Sequence, residues 1–481
     1  MFVGTYILKG DVQLMLFSSI PYLYFFFPVA LLFYFAAPKK LKNTVLLILS
    51  LIFYFYGEEA YVLLLLFSSA TGYIVGLIVE KYRGSIKAKA ALYSAIIINL
   101  LILGFFKYTD FFIENINALL GTNIALMRIS LPLGISFFVF QTISYVVDVW
   151  RESAPAEKNP LDFTMYVSMF PQLVAGPIVR YNTVAAEIRE RKHSFENFSS
   201  GVSRFVTGLA KKVLIANELG ALSGLMLATS EPTVLSQWLA IFAYILQIYF
   251  DFSGYSDMAI GLGKMIGFNF PENFNYPFIA DSISDFWRRW HISMGTWFRE
   301  YLYIPLGGNR VSKIKWIRNI FIVWFCTGLW HGASWNFIFW GLYFGVLLAL
   351  EKLLWGKAVA GLPKWIRHIY TLGLVFFSFI IFYIESVPEM FTHLAGMFGA
   401  GGLPVVNTES IYYLKSYAPL LIVACIGSTP IVKNIAYKIR DAQKIKLIVS
   451  VLEPALYILL LIAATGYIVD SSFNPFLYFR F

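Results

Sequence analysis

Hydrophobic positions run in long blocks along this chain, and each block is closed by a short cluster of charges. Ile20 to Ala37 holds no charged residue and is followed by Lys39, Lys40 and Lys42. Asn43 to Gly57 runs on to the acidic pair Glu58 and Glu59, and Ala60 to Val79 returns to Lys81, Arg83, Lys87 and Lys89. A helix needs about 20 apolar residues to cross a bilayer, and loops rich in Lys and Arg stay on the cytoplasmic side. The alternation therefore predicts an outer N-terminus and regular crossings. It continues through Ala90 to Phe106, Ile129 to Val147, Phe205 to Thr229, Thr233 to Phe250, Ile369 to Ile384, Ser416 to Val432 and Leu447 to Val469. About ten full crossings are expected on length alone. Phe163 to Val179 carries Pro171, Gly176 and Pro177, which break a helix, and is expected to be re-entrant.

The block from Ile320 to Leu350 is different. Its 31 residues contain no Asp, Glu, Lys or Arg, yet His331 sits inside WHGASW near the middle. As one straight helix it would measure about 46 Å against a hydrocarbon core of about 30 Å. Arg310, Lys313, Lys315 and Arg318 precede it, and Lys352, Lys357, Lys364 and Arg367 follow it. The pattern predicts a hairpin of two short helices, both flanks cytoplasmic, with a break near Gly332 and Ser334 and with His331 at the buried apex. Rising about 1.5 Å per residue from Arg318, the first arm carries the imidazole past the midplane. An ionisable group at that depth reads as a functional site, against the alternative of a core histidine bonded to a nearby carbonyl.

Composition agrees with a membrane chain. Of 481 residues 58% are hydrophobic and 14% charged, with mean hydropathy +0.67; soluble domains average about 25% charged. The fold class expected is all-α and polytopic, in a multi-pass protein of the inner (cytoplasmic) membrane. The net charge of +10 reflects basic cytoplasmic loops rather than nucleic-acid binding. Cys326 and Cys425 lie in apolar runs, so neither a disulfide framework nor a metal-ligand spacing is available. Residues 1–14 lack the basic and apolar regions of a signal peptide and are expected to be an extension, with Met15 as an alternative start. Residues 15–481 are expected to form a single membrane-embedded domain.

The least hydrophobic region is Asp251 to Arg318. Within it Phe286, Trp287, Trp290, Trp297 and Phe298 fit one face of an amphipathic helix that also carries Arg288, Arg289, His291 and Arg299. Such a helix lies in the membrane interface. Alternatively Arg288, Arg289 and Arg299 hold the phosphates of an acyl-CoA whose thioester reaches inward. Asp251 to Asp257 is expected to start a new helix capped by Ser253 or Ser256, with Arg288 or His291 as partner to Asp251 and Asp257. Tyr301 to Arg310 reads as an extended piece ended by a glycine turn.

The run FDFSGYSDMAIGLGKMIGFNFPENFNYPFIADSISDFWRRWHISMGTWFREYLYIPLGGNR, followed by GLWHGASWNFIFWG, resembles the membrane-bound O-acyltransferase family. Within it the likeness is to the branch that O-acetylates alginate and peptidoglycan; the opening MLFSSIPYLYFFFPVALLFYF and the closing FNPFLYFRF extend it over nearly the whole chain from Met15. The resemblance implies a helical fold around a buried tunnel, His331 as the catalytic histidine and His291 as the second recurrent one. It implies acetyl-CoA as donor substrate, with no permanently bound cofactor. Trp330, Trp335 and Asn336 would shape the pocket, with Asp251 and Asp257 close by, and Asn336 would hold the imidazole tautomer. His331 as general base and His331 as a transiently acylated group both remain open. An extracytoplasmic SGNH-type acetyltransferase is expected to place the acetyl group on the polymer. D-alanyl transfer to teichoic acid and a transporter without covalent chemistry are the alternatives.

Overall fold

The computed structural model describes residues 15–174, 176–441 and 446–470, and every regular element among them is helical. The expected 1–14 extension and the closing FNPFLYFRF lie outside the described residues. The first apolar blocks become α1 (Phe27–Ala36), α2 (Lys42–Glu58), α3 (Val62–Lys81), α4 (Ile86–Leu120) and α5 (Ile135–Trp150). α4 runs well past the expected end at Phe106, because Lys107 is taken into the protein instead of ending the span. Gly121, left-handed at φ 65°, stops it. The proline-bearing block is broken as expected, into α6 (Pro160–Ser168) and a wholly buried α7 (Phe170–Leu173), and α8 (Tyr181–Arg189) follows.

The middle of the chain departs more from the expected pattern. α9 (Phe195–Ala210) passes through a π-helical stretch, Lys211–Ala216, into α10 (Asn217–Ala228) without a break. α11 (Val234–Met265) is 32 residues long and runs straight through Asp251 and Asp257, where a new helix start was expected. The aspartates do not cap anything. Their charges are met from α9 and the π stretch, so the helix need not end to solvate them.

Then come α12 (Ile283–Arg289), α13 (Ile292–Phe298), α14 (Lys313–His331), α15 (Trp335–Leu350), α16 (Gly356–Ala360), α17 (Lys364–Tyr383), α18 (Val387–Gly396), α19 (Thr408–Gly427), α20 (Ile431–Asp441) and α21 (Lys446–Asp470). Among the described residues seven helical stretches are long and apolar enough to cross a membrane, against the ten expected. The two counts are not of the same segments: α2 and α3 form one continuous stretch, Lys39–Lys81, and the hairpin arm Trp335–Ala360 is among the seven. The expected crossings missing from the seven are α1, whose helical run Tyr22–Ala36 is short, α5 at 16 residues, and α9 to α10, which carries Lys211, Lys212 and Glu218 through its centre.

α11 is the spine of the molecule. Its residues from Leu239 to Phe250 belong to one hydrophobic core with α10, α12, α15, α17 and α19, and those from Phe252 onward belong to a second core with α2, α3, α5 and α9. Asp251 marks the crossing point. Against α9 the spine makes a backbone-to-backbone approach: Gly208 faces Gly254 and Gly201 faces Gly261, so that a methyl on Gly254 would lie 2.7 Å from the Gly208 carbonyl. Small residues at matched spacing are the usual means of bringing membrane helices together.

Adding one methyl separates packing from helix propensity. Gly224 in α10 has nothing within 4 Å of the added carbon, whereas at Gly208 it would meet the backbone nitrogen of Met258 at 2.8 Å. Gly224→Ala is expected to hold or raise the melting temperature, since alanine favours a helix by about 1 kcal/mol over glycine. Gly208→Ala is expected to lower it, as overpacking typically costs about 1–3 kcal/mol. Equal shifts in a thermal melt of the detergent-solubilised protein would show that the glycine faces do not set this packing.

Candidate active site

The expected hairpin is present. α14 ends at His331, residues 332–334 turn, and α15 leaves from Trp335. Its arms cross at Gly328 and Gly341: a methyl on Gly341 would lie 3.0 Å from the Cα of Gly328, and one on Gly328 would strike the Phe337 carbonyl. Gly332 is extended, at φ −175°, so it is not needed for its backbone angle. It is needed for space, because an added carbon would run into the Phe337 ring.

A helix that ends inside a protein leaves its last carbonyls without intrahelical partners. Here α4 supplies them. Tyr108 Oη donates to the Leu329 carbonyl at 2.7 Å, and Lys107 Nζ donates to the Trp330 carbonyl. The ammonium also lies 5.9 Å from the centroid of the Trp330 indole. A cation near a helix C-terminus is favoured by the helix dipole as well. Lys107 falls just beyond the crossing expected to end at Phe106; its signal is a lone lysine followed by more apolar residues, LGFFKYTDFF.

His331 is 4% exposed and enclosed by aromatic edges. Its ring stands near-perpendicular to Trp340 at 4.8 Å, to Phe382 at 5.3 Å and to Trp330 at 5.0 Å. A cavity of about 10 Å³ adjoins it, lined by Ile248, Phe252, Trp290, Trp340, Phe379 and Phe382. That is room for about one water. His291 lies near the same indole, at 5.6 Å between ring centroids. Both imidazoles thus adjoin Trp330, which itself rests on Phe137 and Phe140 of α5.

His291 reaches this place through a break in the chain. The single amphipathic helix expected over Phe286 to Phe298 is two helices, because Trp290 is extended and His291 is left-handed at φ 44°. Asn273 imposes the break. Its backbone carbonyl accepts from Ile292 N at 2.9 Å, and its Oδ1 accepts from Ser293 N at 3.2 Å and Ser293 Oγ at 2.8 Å. The same Oδ1 lies 3.1 Å from His291 Nδ1. A backbone N–H can only donate, so this atom is an acceptor and His291 Nδ1 carries the proton. In the neutral ring Nε2 is then the basic nitrogen. The aromatics expected to dip into lipid point inward instead: Phe286, Trp290, Trp297 and Phe298 are all buried.

The other candidate residues separate into groups. Arg288 and Arg299 are exposed, Arg288 donating to the Ser284 carbonyl at 3.3 Å and Arg299 lying 4.0 Å from Glu300. Arg289 is committed to Asp285 at 2.8 Å. Trp335 is 49% exposed and donates from Nε1 to Asn115 Oδ1 at 2.9 Å, outside the cavity. Asn336 does not orient the imidazole as expected; its Nδ2 donates to the Phe382 carbonyl at 3.0 Å and so fixes a cavity wall. In place of Arg288 or His291, Asp251 pairs with the buried Lys212 at 2.8 Å, and Asp257 pairs with Arg204 at 2.8 Å and Lys211 at 2.6 Å. Tyr301 to Arg310 is a π-helical turn, Arg299–Tyr303, and further turns rather than an extended piece, held by Asn319 Nδ2 to the carbonyls of Leu306 and Gly308.

Glu351 escaped the sequence reading. It is the first charge after the long apolar block, and its carboxylate accepts from Ile283 N at 3.0 Å, Ser284 N at 3.1 Å and Ser284 Oγ at 2.9 Å. It thereby ties the start of α12 to the far end of the hairpin.

Comparison with known proteins places this constellation. The chain is 39% identical over 417 residues to the probable alginate O-acetylase of Azotobacter vinelandii, covering 80% of this chain and 84% of that protein. It is 33% identical over 457 residues to the peptidoglycan O-acetyltransferase of Helicobacter pylori, covering 85% and 86%. The teichoic acid D-alanyltransferase of Bacillus subtilis is 30% identical over 271 residues, covering 52% of this chain and 68% of that protein. The model of the membrane-bound O-acyltransferase family matches residues 99–390, a stretch that runs from α4 to α18 and holds both histidines, Lys107 and Asn273. The chain belongs to the membrane-bound O-acyltransferase family and is an acyltransferase of the multi-pass membrane type.

Proposed function

We propose that this protein takes an acetyl group from acetyl-CoA at its Lys- and Arg-rich, cytoplasmic face and passes it to a hydroxyl reaching the site from the opposite side. The observation that carries this reading is the pair of imidazoles close to Trp330 at the apex of an interrupted membrane hairpin. His331 acts as general base: it takes the proton of the attacking hydroxyl as that oxygen bonds to the thioester carbonyl carbon. The carbon–sulfur bond then breaks, and the same proton passes to the departing sulfur, releasing coenzyme A as the thiol. His291, with Nε2 as its basic nitrogen, is the second proton-holding group. Arg288 and Arg299, both exposed, and Arg299 only 4.0 Å from Glu300, receive the phosphates.

A cavity of about 10 Å³ does not hold an acetyl thioester. Loading therefore displaces rings that line it, with Trp340 and Phe382 the nearest to the imidazole. The names of the relatives support acetyl as the transferred group, since the acetylating proteins match over most of the chain and the D-alanyl transferase over about half. The acceptor class is an extracytoplasmic polysaccharide of the alginate or peptidoglycan kind, reached through an SGNH-type partner that takes the acetyl group onward.

Reconstituted proteoliposomes given acetyl-CoA labelled in the acetyl group provide the test. His331→Ala is expected to lower transfer to acceptor about 100-fold or more, the scale of a lost general base. Wild-type transfer by a normally folded His331→Ala protein overturns the reading. Arg288→Gln with Arg299→Gln is expected to raise KM for acetyl-CoA while leaving kcat within a few-fold, the pattern of lost ground-state binding. Lys107→Met deprives the Trp330 carbonyl of its donor, and an unmet buried polar group costs about 1–3 kcal/mol. Melting temperature and kcat are both expected to fall, whereas Tyr108→Phe is expected to do less because the lost partner is uncharged.

A further inference from the structure

α1, the loop before α9 and the end of α11 meet around the hydroxyl of Tyr34. That residue is 1% exposed. Its Oη donates to the Ile266 carbonyl at 2.7 Å, accepts from Arg191 Nε at 3.1 Å and lies 2.9 Å from His193 Nε2. Two cations are stacked on the rings gathered here. Lys42 Nζ is 4.6 Å from the Tyr34 centroid and 5.0 Å from that of Phe35, and the Arg191 guanidinium is 4.5 Å from that of Phe268.

Among the described residues no carboxylate lies within ion-pair distance of Lys42 or Arg191. Glu187, four residues before Arg191, gives its carboxylate to Asn269 Nδ2 at 2.7 Å and offers Arg191 its backbone carbonyl. Burial, with Lys42 and Arg191 alongside, holds the His193 imidazole below its ordinary value. Like charges left together on the surface of a fold are costly unless an anion joins them.

Beside them opens a cavity of about 270 Å³ lined by Phe35, His193, Ser194, Phe195, Phe198 and Met265. Its walls are mostly aromatic, and Phe195 at its rim is 87% exposed. Phe35 brings α1 into this wall, and the aromatic lining it shares with Phe195 and Phe198 is an apolar surface suited to acyl chains. A soluble phosphate would need the cations but not this apolar wall.

We propose that Lys42 and Arg191 hold the phosphate of an anionic phospholipid, with the start of its acyl chains in the cavity between Phe35 and Phe198. The lipid belongs to the leaflet that the basic loops face, where anionic headgroups attract juxtamembrane Lys and Arg. Bound there, it joins α1 to the loop at residues 190–194 and to the end of α11.

The experiment uses the full chain in neutral detergent, titrated with phosphatidylglycerol or phosphatidylcholine and read by native mass spectrometry and thermal melting. Phosphatidylglycerol is expected to be retained at least several-fold more than phosphatidylcholine and to raise the melting temperature. Lys42→Gln with Arg191→Gln is expected to lose that preference. Lys42→Gln alone, which removes no side-chain hydrogen bond among the described residues, is expected to weaken retention with the melting temperature in the absence of lipid unchanged. Equal retention of the two lipids, or wild-type retention by the variants, overturns the proposal. So does protection by inorganic phosphate or coenzyme A equal to that by phosphatidylglycerol, which would make the ligand a free anion. None of these readings depends on acetyl transfer, so this site and the catalytic reading fail separately.

Discussion

The structure turns on ending a helix where no water can receive its last carbonyls. In hydrocarbon an unmet backbone group costs several kcal/mol, so interrupted helices persist only where protein covers the break. α4 covers this one with consecutive side chains, Tyr108 on the Leu329 carbonyl and Lys107 on that of Trp330. The register of α4 along α14 is thereby fixed, and with it the depth of His331, the next residue in the chain. Much else follows. α4 must stay helical past Lys107, the arms must cross closely enough to need Gly328 and Gly341, and α15 must be tied back to α12 through Glu351.

The same economy governs the other charges inside the protein. Lys212 and Asp251, 1% and 2% exposed, meet at 2.8 Å where α11 passes from one core to the other. Breaking a buried pair by removing one partner typically costs 3–5 kcal/mol, far more than keeping it gains. Its use is positional. It fixes the sliding register of α9 and α10 along α11 at the point where the glycine faces alone would permit slippage. Asp257, held by Arg204 and Lys211, repeats the device farther along the same pair of helices.

What could be read from sequence was whatever local chain chemistry decides. The His331 hairpin was legible because thirty-one uncharged residues are too long for one crossing and carry their break at Gly332 and Ser334. The spans that became α2, α3, α17, α19 and α21 were legible because each apolar block is closed by charges, whereas α18 and α20 fall where loops were expected. The fold class followed from them. Misreadings arose where a distant residue overrides local pattern. The aromatic spacing from Phe286 to Phe298 does fit a helix, but Asn273 captures Ser293 and His291 and breaks it. Asp251 was expected to meet Arg288 or His291 because its partner, Lys212, lies in Phe205 to Thr229, a block expected to cross as a span of its own. Trp335 and Asn336 sit beside the histidine in sequence, yet the turn at residues 332–334 sends one outward to Asn115 and the other to Phe382. Lys107 and Asn273 could not be assigned without knowing which helix lies next to the hairpin.

The position of the histidines between the two cores bears on how such a closed site can work. Trp290 belongs to one core while Met294 and Trp297 belong to the other; likewise Trp330 lies in one and Phe337 and Trp340 in the other. His291 and His331 each occupy the step between. A cavity within a single core opens only by breaking close packing on every side. One at a seam opens when the two cores shift slightly, losing the ring contacts that cross it and keeping those within each. Trp330 remains held through its carbonyl by Lys107 and against Phe137 and Phe140, on the core that includes α5. Trp340, Phe379 and Phe382, with Ile248 and Trp290 of the same core, form the facing wall, so in the catalytic reading proposed above a shift between the cores would widen the cavity on their side while the His331 imidazole kept its place beside the indole.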